Sequence, residues 1–413
     1  MPSHVPRTLV FNPGSASLKF EVIEVAPQQA IASQGSKVVS ASIEGVGKKA
    51  SLLVFRGKEV VDRQPCDAAN MGAGARFALN WLRNQRAGGG PSLASVGLAC
   101  VRVVHGGSSY SEAVRVTPAV KSDIESMREL APLHNQSSLD ILAVLERELP
   151  DADRWATFDT AFHRTLPEVA WRYPILRDTA DRCGIRKFGF HGLSHRYMLE
   201  QYAEMAGKTP EQISAVTLHL ESGCSAAAIS KGKSIDTTMG LTPLEGLMMG
   251  TRCGSIDPAI VPLLMRKRKM DPDEVLEFLN KQCGLLGIAG ETFDTRDLAK
   301  RDDEAAKLAL AMFSYRIRLA IGAYLAALGD AEAVLFGGGI GEDTPLVRAQ
   351  ACQGLESLGL VLDQELNART TAGPASITRP DSRLRALVIP VEEGLQIAHE
   401  CSQASRKARS AAR

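Results

Sequence analysis

The chain has 413 residues, more than a single hydrophobic core usually organises, so two domains are expected. Hydrophobic residues make up 45% of it and charged residues 23%, proportions typical of a folded globular protein. The 48 basic and 47 acidic residues leave a net charge of +1, which gives no support for a nucleic acid or an anionic membrane as partner.

The spacing of the cysteines and the length of the apolar segments indicate the cellular compartment of the protein. No two of the eight cysteines form a C-x-x-C pair, so free thiols in a reducing compartment are expected. No stretch reaches 18 uncharged apolar residues, and the first residues lack the apolar run of a secretory signal. We therefore expect a cytoplasmic protein without a membrane-spanning helix.

The first predicted elements are two strands joined by a tight turn, in TLVFNPGSASLKFEVIE at residues 8–24. The turn carries Asn12, Gly14, Ser17 and Lys19, whose donors suit an anion, although an ordinary polar hairpin explains them equally well. A further strand, Val96 to Val104, includes Arg102 near its end. A cation there suits a phosphate, a carboxylate or a structural ion pair.

The middle of the chain repeats this pattern. Asp159 follows an apolar strand, where it is a good ligand for Mg2+. His191 stands between two glycines in FGFHGLSH, either at a site or as a satisfied core histidine. AVTLHLESGCSAAAIS, from residue 215, is again strand, turn and strand, which suggests an internal duplication. The glycine-rich segment 236–258, which contains Arg252, predicts a loop that lines a site.

Residues 304–328 give the strongest helix prediction, with Leu308, Met312, Tyr315 and Leu319 in a stripe that we assign to the core. An apolar strand at 333–336 then leads into a glycine turn at 337–342. Strands and helices alternate throughout, so the fold class is α/β. The polar, basic tail SQASRKARSAAR is expected to be frayed.

Taken in order, several segments resemble the acetate kinase family closely. They are FNPGSASLKFEV, FDTAFHRTLP, FGFHGLSHRYM, TMGLTPLEGLMMGTRCGSIDPA, FGGGIGED and IPVEEGLQIA. These matches run from residue 8 to about residue 400, and the 22 residues from Thr238 to Ala259 are highly specific.

The resemblance implies the duplicated fold of actin, the Hsp70 ATPase domain and sugar kinases, with the active-site cleft between two domains. We expect an N-terminal domain at 1–160, with 394–413 packing back on it. A nucleotide-binding and dimerisation domain is expected at 161–393. The implied partners are acetate and ATP, the implied metal is Mg2+ or Mn2+, and the implied assembly is a homodimer.

The resemblance also implies residue roles. Arg102, Asp159, His191 and Arg252 are expected to be catalytic, and Asn12 and Glu393 to bind the metal, which Asp159 would also help to hold. Arg102, Val104, Leu133, Phe190 and Pro243 are expected to bind the acyl substrate, with Ser17, His134 and His219 near the phosphates. The expected nucleotide-binding residues are Lys19, His219, Ser222, Gly223, Asp294, Thr295, Arg296, Gly339, Ile340, Gly341 and Asp343.

The chemistry implied is in-line transfer that relies on positioning and on charge stabilisation by arginine and metal. A carboxylate is already ionised at pH 7, so it needs no general base before it attacks.

The chain departs from the family pattern mainly around the nucleotide. Glu221 and Ser222 replace a glycine and an asparagine, and Asp343 stands where asparagine is usual. Smaller departures are Ala16, Ser255 and the segment 136–138. A carboxylate about 4 Å from a phosphate would repel it by about 4 kcal/mol at an effective dielectric of about 20.

Three alternatives for the function are considered. The first is an active kinase for acetate, propionate or another short acid. The second is a catalytically weakened nucleotide-binding homologue. The third, a metal-dependent hydrolase, is disfavoured because the histidines show no H-x-x-x-H or H-E-x-x-H spacing.

Overall fold

The computed structural model of the chain describes residues 7–25, 34–85, 93–129, 132–371 and 373–411. The chain divides into two compact units. Unit 1 consists of Met1–Phe162 and Glu392–Arg413, and unit 2 of His163–Val391. The end of the chain therefore belongs to the same unit as its beginning.

Each unit contains one mixed β-sheet. The strands of unit 1 are β1 (Arg7–Pro13), β2 (Ser17–Glu24), β3 (Ser36–Glu44), β4 (Ser51–Arg56), β5 (Glu59–Pro65), β6 (Val96–Val103), β7 (Val114–Arg115) and β8 (Asp153–Phe158). Those of unit 2 are β9 (Ala215–Leu220), β10 (Cys224–Ser230), β11 (Lys233–Thr237), β12 (Ala333–Gly337), β13 (Ala375–Ser376) and β14 (Arg385–Val388).

The two sheets share one topology. Unit 1 contains the order β3-β2-β1-β6-β8-β7, extended by β4 and β5, and unit 2 has β11-β10-β9-β12-β14-β13. In both, the first three strands pair antiparallel, the next two pairings are parallel, and the last strand is antiparallel. This repeat confirms the predicted α/β class and the internal duplication.

The helices pack around these sheets. In chain order they are α1 (Met71–Gln85), α2 (Pro118–Ser126), α3 (Pro132–Glu148), α4 (Glu168–Trp171), α5 (Arg177–Arg182), α6 (Gly192–Ala206), α7 (Ile260–Arg268), α8 (Pro272–Lys281), α9 (Gly284–Ala289), α10 (Thr295–Leu298), α11 (Glu304–Leu328), α12 (Gly338–Asp343), α13 (Pro345–Cys352), α14 (Gln364–Arg369) and α15 (Glu393–Ala411). Helices α3 and α15 contact β1 and β6, so β1 is buried along most of its length.

Helix α11 has the predicted bounds, but the face assigned to the core is wrong. Leu308, Tyr315 and Leu319 are 50% to 53% exposed, whereas Phe313 and Ile317 on another face are fully buried. The helix is apolar almost all round, so the sequence pattern does not identify the buried side. By length and composition α11 is also apolar enough to cross a membrane, but helices in protein cores meet the same criteria.

Two other predictions are corrected. The tail, predicted to be frayed, is helical as far as Ala411, because Cys401, Ser402 and Ser405 turn one face of α15 toward the unit 1 core. The glycine turn predicted at 337–342 is the short helix α12, which starts directly after β12. All eight cysteines are free thiols.

Candidate active site

In unit 1, Arg102 and Asp159 form a buried ion pair. Arg102 lies near the end of β6, and Asp159 follows β8, its parallel neighbour in the sheet. The Arg102 Nε donates to Asp159 Oδ1 at 2.8 Å, and Nη2 donates to Oδ2. Their side chains are 12% and 1% exposed. Two parallel bonds of this kind fix both groups in one orientation.

The same guanidinium reaches the end of β1. Arg102 Nη1 donates to Asn12 Oδ1 at 3.0 Å and to the Pro13 carbonyl at 3.1 Å. Asn12 Nδ2 donates to Glu393 Oε2 at 2.8 Å, at the start of α15. A continuous hydrogen-bonded chain thus joins Asp159, Arg102, Asn12 and Glu393, which are distant in sequence.

This chain of residues suits a hard divalent cation. Two carboxylates and an amide oxygen are the ligand types that Mg2+ prefers, and Mg2+ usually completes its coordination with water. No group of three or more histidine, cysteine, aspartate or glutamate side chains able to hold a metal occurs in the described part of the chain. The residues therefore fit a metal held by few protein ligands and not one enclosed by the protein.

The remaining residues of unit 1 that were expected at the site either lie in or next to the sheet or are not among the residues that the structure describes. Lys19 is an exposed residue of β2, paired in register with Asn12. Val104 is buried just beyond β6. The side chains of Leu133 and His134 lie outside the described residues, so the structure does not test their expected positions.

In unit 2, His191 occupies an unusual backbone position. It has φ of +58° and immediately precedes α6, a left-handed conformation in which histidine is more common than most residues. Its ring lies 4.5 Å from the ring of His219, centroid to centroid. Gly189 has φ of +76°, and a Cβ there would lie 2.7 Å from His163, so only glycine fits.

The turn between β9 and β10 approaches both His191 and Arg252. A Cβ built on Gly223 would lie 3.4 Å from His191 Nε2 and 3.4 Å from Arg252 Nη1. Arg252 Nη1 donates to the Pro243 carbonyl at 3.0 Å, and burial lowers the pKa of Arg252. Phe190, beside His191, is buried. The structure thus brings His191, His219, Gly223 and Arg252 together.

Two further histidines are buried behind His191. Burial lowers the pKa of His163 to about 4, and it lowers the pKa of His195 well below the usual value. His163 Nε2 lies 3.0 Å from the Phe190 carbonyl, and His195 Nε2 lies 2.8 Å from Ser225 Oγ. Both histidines are therefore neutral hydrogen-bonding groups near pH 7.

A separate pocket of unit 2 collects most of the expected nucleotide-binding residues. It has a volume of about 210 Å3. Its lining residues are Glu221, Ser222, Phe293, Asp294, Thr295, Arg296, Gly339, Ile340, Asp343 and Thr344. Gly341 is buried beside the pocket and is not part of the lining. Phe293 and Thr344 were not expected here from the sequence.

Within this pocket Arg296 and Asp294 bind each other. Arg296 Nε donates to Asp294 Oδ1 at 3.0 Å and Nη2 donates to Oδ2 at 2.6 Å. These bonds lower the pKa of Asp294 to about 2. Thr295 Oγ1 lies 2.8 Å from Thr344 Oγ1, which joins α10 to the loop before α13.

The departures from the family pattern take definite positions. Glu221 does not adopt a positive φ, so the loss of a glycine there causes no backbone strain. Its side chain is 50% exposed, lines the pocket and lies 3.7 Å from His219 Nε2. Asp343 lines the same pocket. Ser255 exchanges hydrogen bonds with Gly246, at 2.9 Å and 3.1 Å, and so braces the loop that carries Arg252.

Two groups that support the site were missed in the sequence. The fully buried Arg348 donates to the carbonyls of Gly341, Glu342, Asn367 and Thr370 and to the Asn367 side chain. Burial lowers its pKa to about 10. It fixes the backbone at the end of α12.

The second missed group is Tyr173. Its hydroxyl accepts from the Leu241 N–H at 2.9 Å and donates to the Glu245 carboxylate. It therefore connects the two ends of a short loop that contains Pro243. No local pattern in the sequence indicates either Arg348 or Tyr173, because their partners lie in other segments of the chain.

Comparisons with known proteins agree with this geometry. The family model for the acetokinase family matches residues 7–399. The chain is 42% identical over 399 residues to an acetate kinase of Solibacter usitatus, which covers 95% of this chain and 96% of that one.

Two solved structures are also similar. One is an acetate kinase of Porphyromonas gingivalis, with a TM-score of 0.88, 33% identity and coverage of 97% and 99% of the two chains. The other is a propionate kinase of Francisella tularensis, with a TM-score of 0.86, 32% identity and coverage of 95% and 98%. With its duplicated sheets and its clustered arginine and histidine side chains, the chain belongs to the acetokinase family.

Proposed function

We propose that the protein transfers the γ-phosphoryl group of ATP directly to acetate, giving acetyl phosphate and ADP in a reversible reaction. Membership of the acetokinase family supports this proposal. The observation that carries it is the position of Gly223, where a Cβ atom would lie 3.4 Å from both Arg252 Nη1 and His191 Nε2. A guanidinium and an imidazole beside a bare backbone position suit phosphoryl oxygens.

In unit 2, we expect Arg252 to stabilise charge on the transferred phosphoryl group. Its bond to the Pro243 carbonyl holds the guanidinium before any substrate binds, so little reorganisation is needed. His191 and His219 donate to phosphate oxygens, and Gly223 and Ser222 allow close approach of the backbone. The pocket lined by Asp294, Thr295, Arg296, Gly339, Ile340 and Asp343 holds the adenosine, with Gly341 behind it.

In unit 1, we expect Arg102 to bind and orient a carboxylate or a phosphoryl group, and Lys19 to add positive charge. Asn12, Asp159 and Glu393 would hold Mg2+ or Mn2+, which would neutralise charge on the phosphate oxygens. Their hydrogen-bonded arrangement around Arg102 supports this assignment.

For the acyl group, we propose contacts with Val104, Leu133, Phe190 and Pro243. Acetate is the preferred acceptor in this proposal, but one methylene usually changes discrimination by only about 1–3 kcal/mol. The similarity to a propionate kinase makes propionate the first alternative acceptor to test.

A second candidate function rests on Glu221. Its carboxylate lines the proposed nucleotide pocket, where it opposes binding of a polyanion. This observation favours a nucleotide-binding homologue with weakened catalysis.

We also propose a cytoplasmic homodimer. The eight free thiols are consistent with a reducing compartment. The exposed apolar side chains of Leu308, Tyr315 and Leu319 on α11 offer a surface that a second copy could cover. Analytical ultracentrifugation of the protein and of Tyr315→Glu tests this, because a dimer that uses α11 should dissociate in the variant.

The activity is tested by trapping the acyl phosphate with hydroxylamine. ATP and Mg2+ are supplied with acetate, propionate or butyrate in parallel reactions. We expect turnover in the usual kinase range of about 1–100 s⁻¹ with acetate. Arg252→Gln should lower kcat by about 10³-fold or more, by analogy with transition-state arginines in GTPases.

Arg268→Gln is the matched control, because Arg268 is an exposed arginine at the end of α7. It should leave turnover unchanged. Absence of product with all three acids, together with measurable ATP binding, would reject the kinase proposal in favour of the weakened homologue.

A further inference from the structure

Behind His191 lies a row of hydrogen bonds that the proposed reaction does not use. His191 Nδ1 lies 2.8 Å from Ser225 Oγ, and the same oxygen lies 2.8 Å from His195 Nε2. His195 Nδ1 in turn lies 2.7 Å from Thr217 Oγ1. Thr217 and Ser225 belong to β9 and β10, and both histidines belong to the segment that starts α6.

A hydroxyl between two imidazoles constrains both of them. Ser225 has one proton, so it donates to one ring nitrogen and accepts from the other. Thr217, Ser225 and His195 are fully buried, and the pKa of His195 lies well below its usual value. His195 is therefore neutral with a single N–H, and its tautomer determines that of His191.

Only one direction of this row leaves a donor on the outer nitrogen of a neutral His191. Thr217 donates to His195 Nδ1, His195 Nε2–H donates to Ser225, and Ser225 donates to His191 Nδ1. The proton of His191 then lies on Nε2, the atom 3.4 Å from the Cβ position of Gly223. In the opposite direction, a neutral His191 would present a lone pair there, which repels a phosphoryl oxygen.

We propose that Ser225 and His195 are positioning residues that hold His191 as a neutral imidazole with its proton on Nε2. His191 thus donates a hydrogen bond to a phosphoryl oxygen without becoming a cation. This inference rests on the proposed phosphoryl transfer, because the need for a donor at Nε2 selects the direction of the row, but the tautomer can be measured without the reaction.

Charged and titratable groups lie near His191. His219 lies 4.5 Å away, centroid to centroid, and the Arg252 guanidinium borders the same Gly223 position. The Glu221 carboxylate, half exposed, contacts His219 Nε2 at 3.7 Å. From behind, His163 Nε2 donates to the Phe190 carbonyl at 3.0 Å and so fixes the backbone that carries His191.

The test is ¹⁵N NMR of the full protein with labelled histidine. The His191 signals are assigned by their loss in His191→Asn. At pH 7.5 we expect Nδ1 to give the signal of an unprotonated ring nitrogen and Nε2 that of a protonated one. A wild-type spectrum with the His191 proton on Nδ1, or on both nitrogens, would overturn the proposal.

Ser225→Ala and Ser225→Thr then test the connection. In Ser225→Ala we expect a mixture of tautomers and a fall in kcat of about tenfold, with the KM for ATP within twofold. Ser225→Thr keeps the hydroxyl and should restore both the single tautomer and the wild-type kcat. His195→Gln should also give a mixture of His191 tautomers. Ser230→Ala, a control further along β10, should change neither the His191 tautomer nor kcat.

An unchanged His191 spectrum in Ser225→Ala would show that Ser225 does not set the tautomer, and the proposal would fall. Failure of the proposed function is a separate result. It would appear as no acyl phosphate from the unmodified protein while the spectrum still shows the proton on Nε2.

Discussion

Arg102 donates hydrogen bonds to both carboxylate oxygens of Asp159, and this ion pair connects the ends of two parallel strands, β6 and β8. Because the same guanidinium also binds Asn12 and the Pro13 carbonyl, it joins β1 to this arrangement. Residues proposed to bind substrate and metal are thus also a structural connection within unit 1.

We predict that breaking this pair destabilises the protein strongly. Arg102→Met removes the two guanidinium hydrogen bonds to the Asp159 carboxylate, which is 1% exposed, and a loss of about 3–5 kcal/mol is expected when one partner of a buried ion pair is removed. Urea unfolding followed by circular dichroism at pH 7.5 measures the loss.

The Arg115–Asp153 pair provides the control in the same sheet. Its N–O distance is 2.6 Å, but the Arg115 side chain is 68% exposed, so Arg115→Met should cost less than about 1 kcal/mol. Equal losses of unfolding free energy in Arg102→Met and Arg115→Met would show that burial does not make the Arg102 pair more important for stability.

Replacement of Glu221 should strengthen ATP binding. The half-exposed carboxylate lines the proposed nucleotide pocket, and solvent reduces its repulsion of a phosphate to about 1 kcal/mol. We therefore expect Glu221→Gln to lower the KM for ATP by about fivefold, with a smaller effect at 0.5 M salt.

Glu365→Gln is the matched control, since Glu365 is an exposed residue of α14 outside the pocket lining. It should leave the KM for ATP unchanged at every salt concentration. A higher KM in Glu221→Gln would mean that the carboxylate assists binding, for example by holding a cation or by orienting His219.

The nucleotide pocket illustrates what the sequence can reveal. Ser222, Asp294 and Ile340 are far apart in the chain, and only the resemblance of their segments to a family suggested a common site. The structure brings them around one pocket. Composition and periodicity alone would not have done so, because neither carries information about contacts between distant segments.

Arg348, the buried face of α11 and the helical tail were not predicted correctly, because nothing local in the sequence indicates them. Arg348 is one arginine in an ordinary helical segment, and its carbonyl partners come from Gly341 to Thr370. The buried face of α11 was assigned wrongly because Leu308 and Phe313 are equally apolar and only tertiary packing distinguishes them. The tail was misjudged because its small residues, such as Ser405, are buried without being hydrophobic.

Tyr173 should matter for phosphoryl transfer to acetate although it is remote in sequence from Arg252. Its hydroxyl connects Leu241 to Glu245 around Pro243, whose carbonyl holds Arg252. Tyr173→Phe keeps the ring but removes both bonds. We expect kcat/KM for acetate to fall by about tenfold, which corresponds to about 1.4 kcal/mol.

A double-mutant cycle with Glu245→Gln checks the cause. If the tyrosine acts through Glu245, the two effects should not add, and the double variant should resemble the worse single one. Tyr202→Phe, a buried tyrosine of α6, is the control. Fully additive losses would mean that Tyr173 and Glu245 act independently.

The stability of the protein should fall in mild acid because of His163. Burial lowers its pKa to about 4 in the folded state, whereas an unfolded histidine has a pKa of about 6.5. Between these values the unfolded chain binds more protons, so unfolding becomes easier as pH decreases from about 6.5 to about 4. The total contribution of His163 is roughly 3 kcal/mol, fully present above pH 6.5.

His163→Gln removes this titration while keeping a side chain that can hydrogen-bond to the Phe190 carbonyl and to Ser234. Although the variant should be less stable at pH 7.5, its free energy of unfolding should depend less on pH. Between pH 6 and pH 5 the slope should decrease by about 1 kcal/mol per pH unit.

His195, whose pKa is also lowered by burial, should behave in the same way, so the double variant His163→Gln with His195→Gln should give the flattest profile. Urea unfolding at pH 5, 6, 7 and 8 measures these slopes, and parallel profiles for the wild type and His163→Gln would show that folding does not lower the pKa of His163.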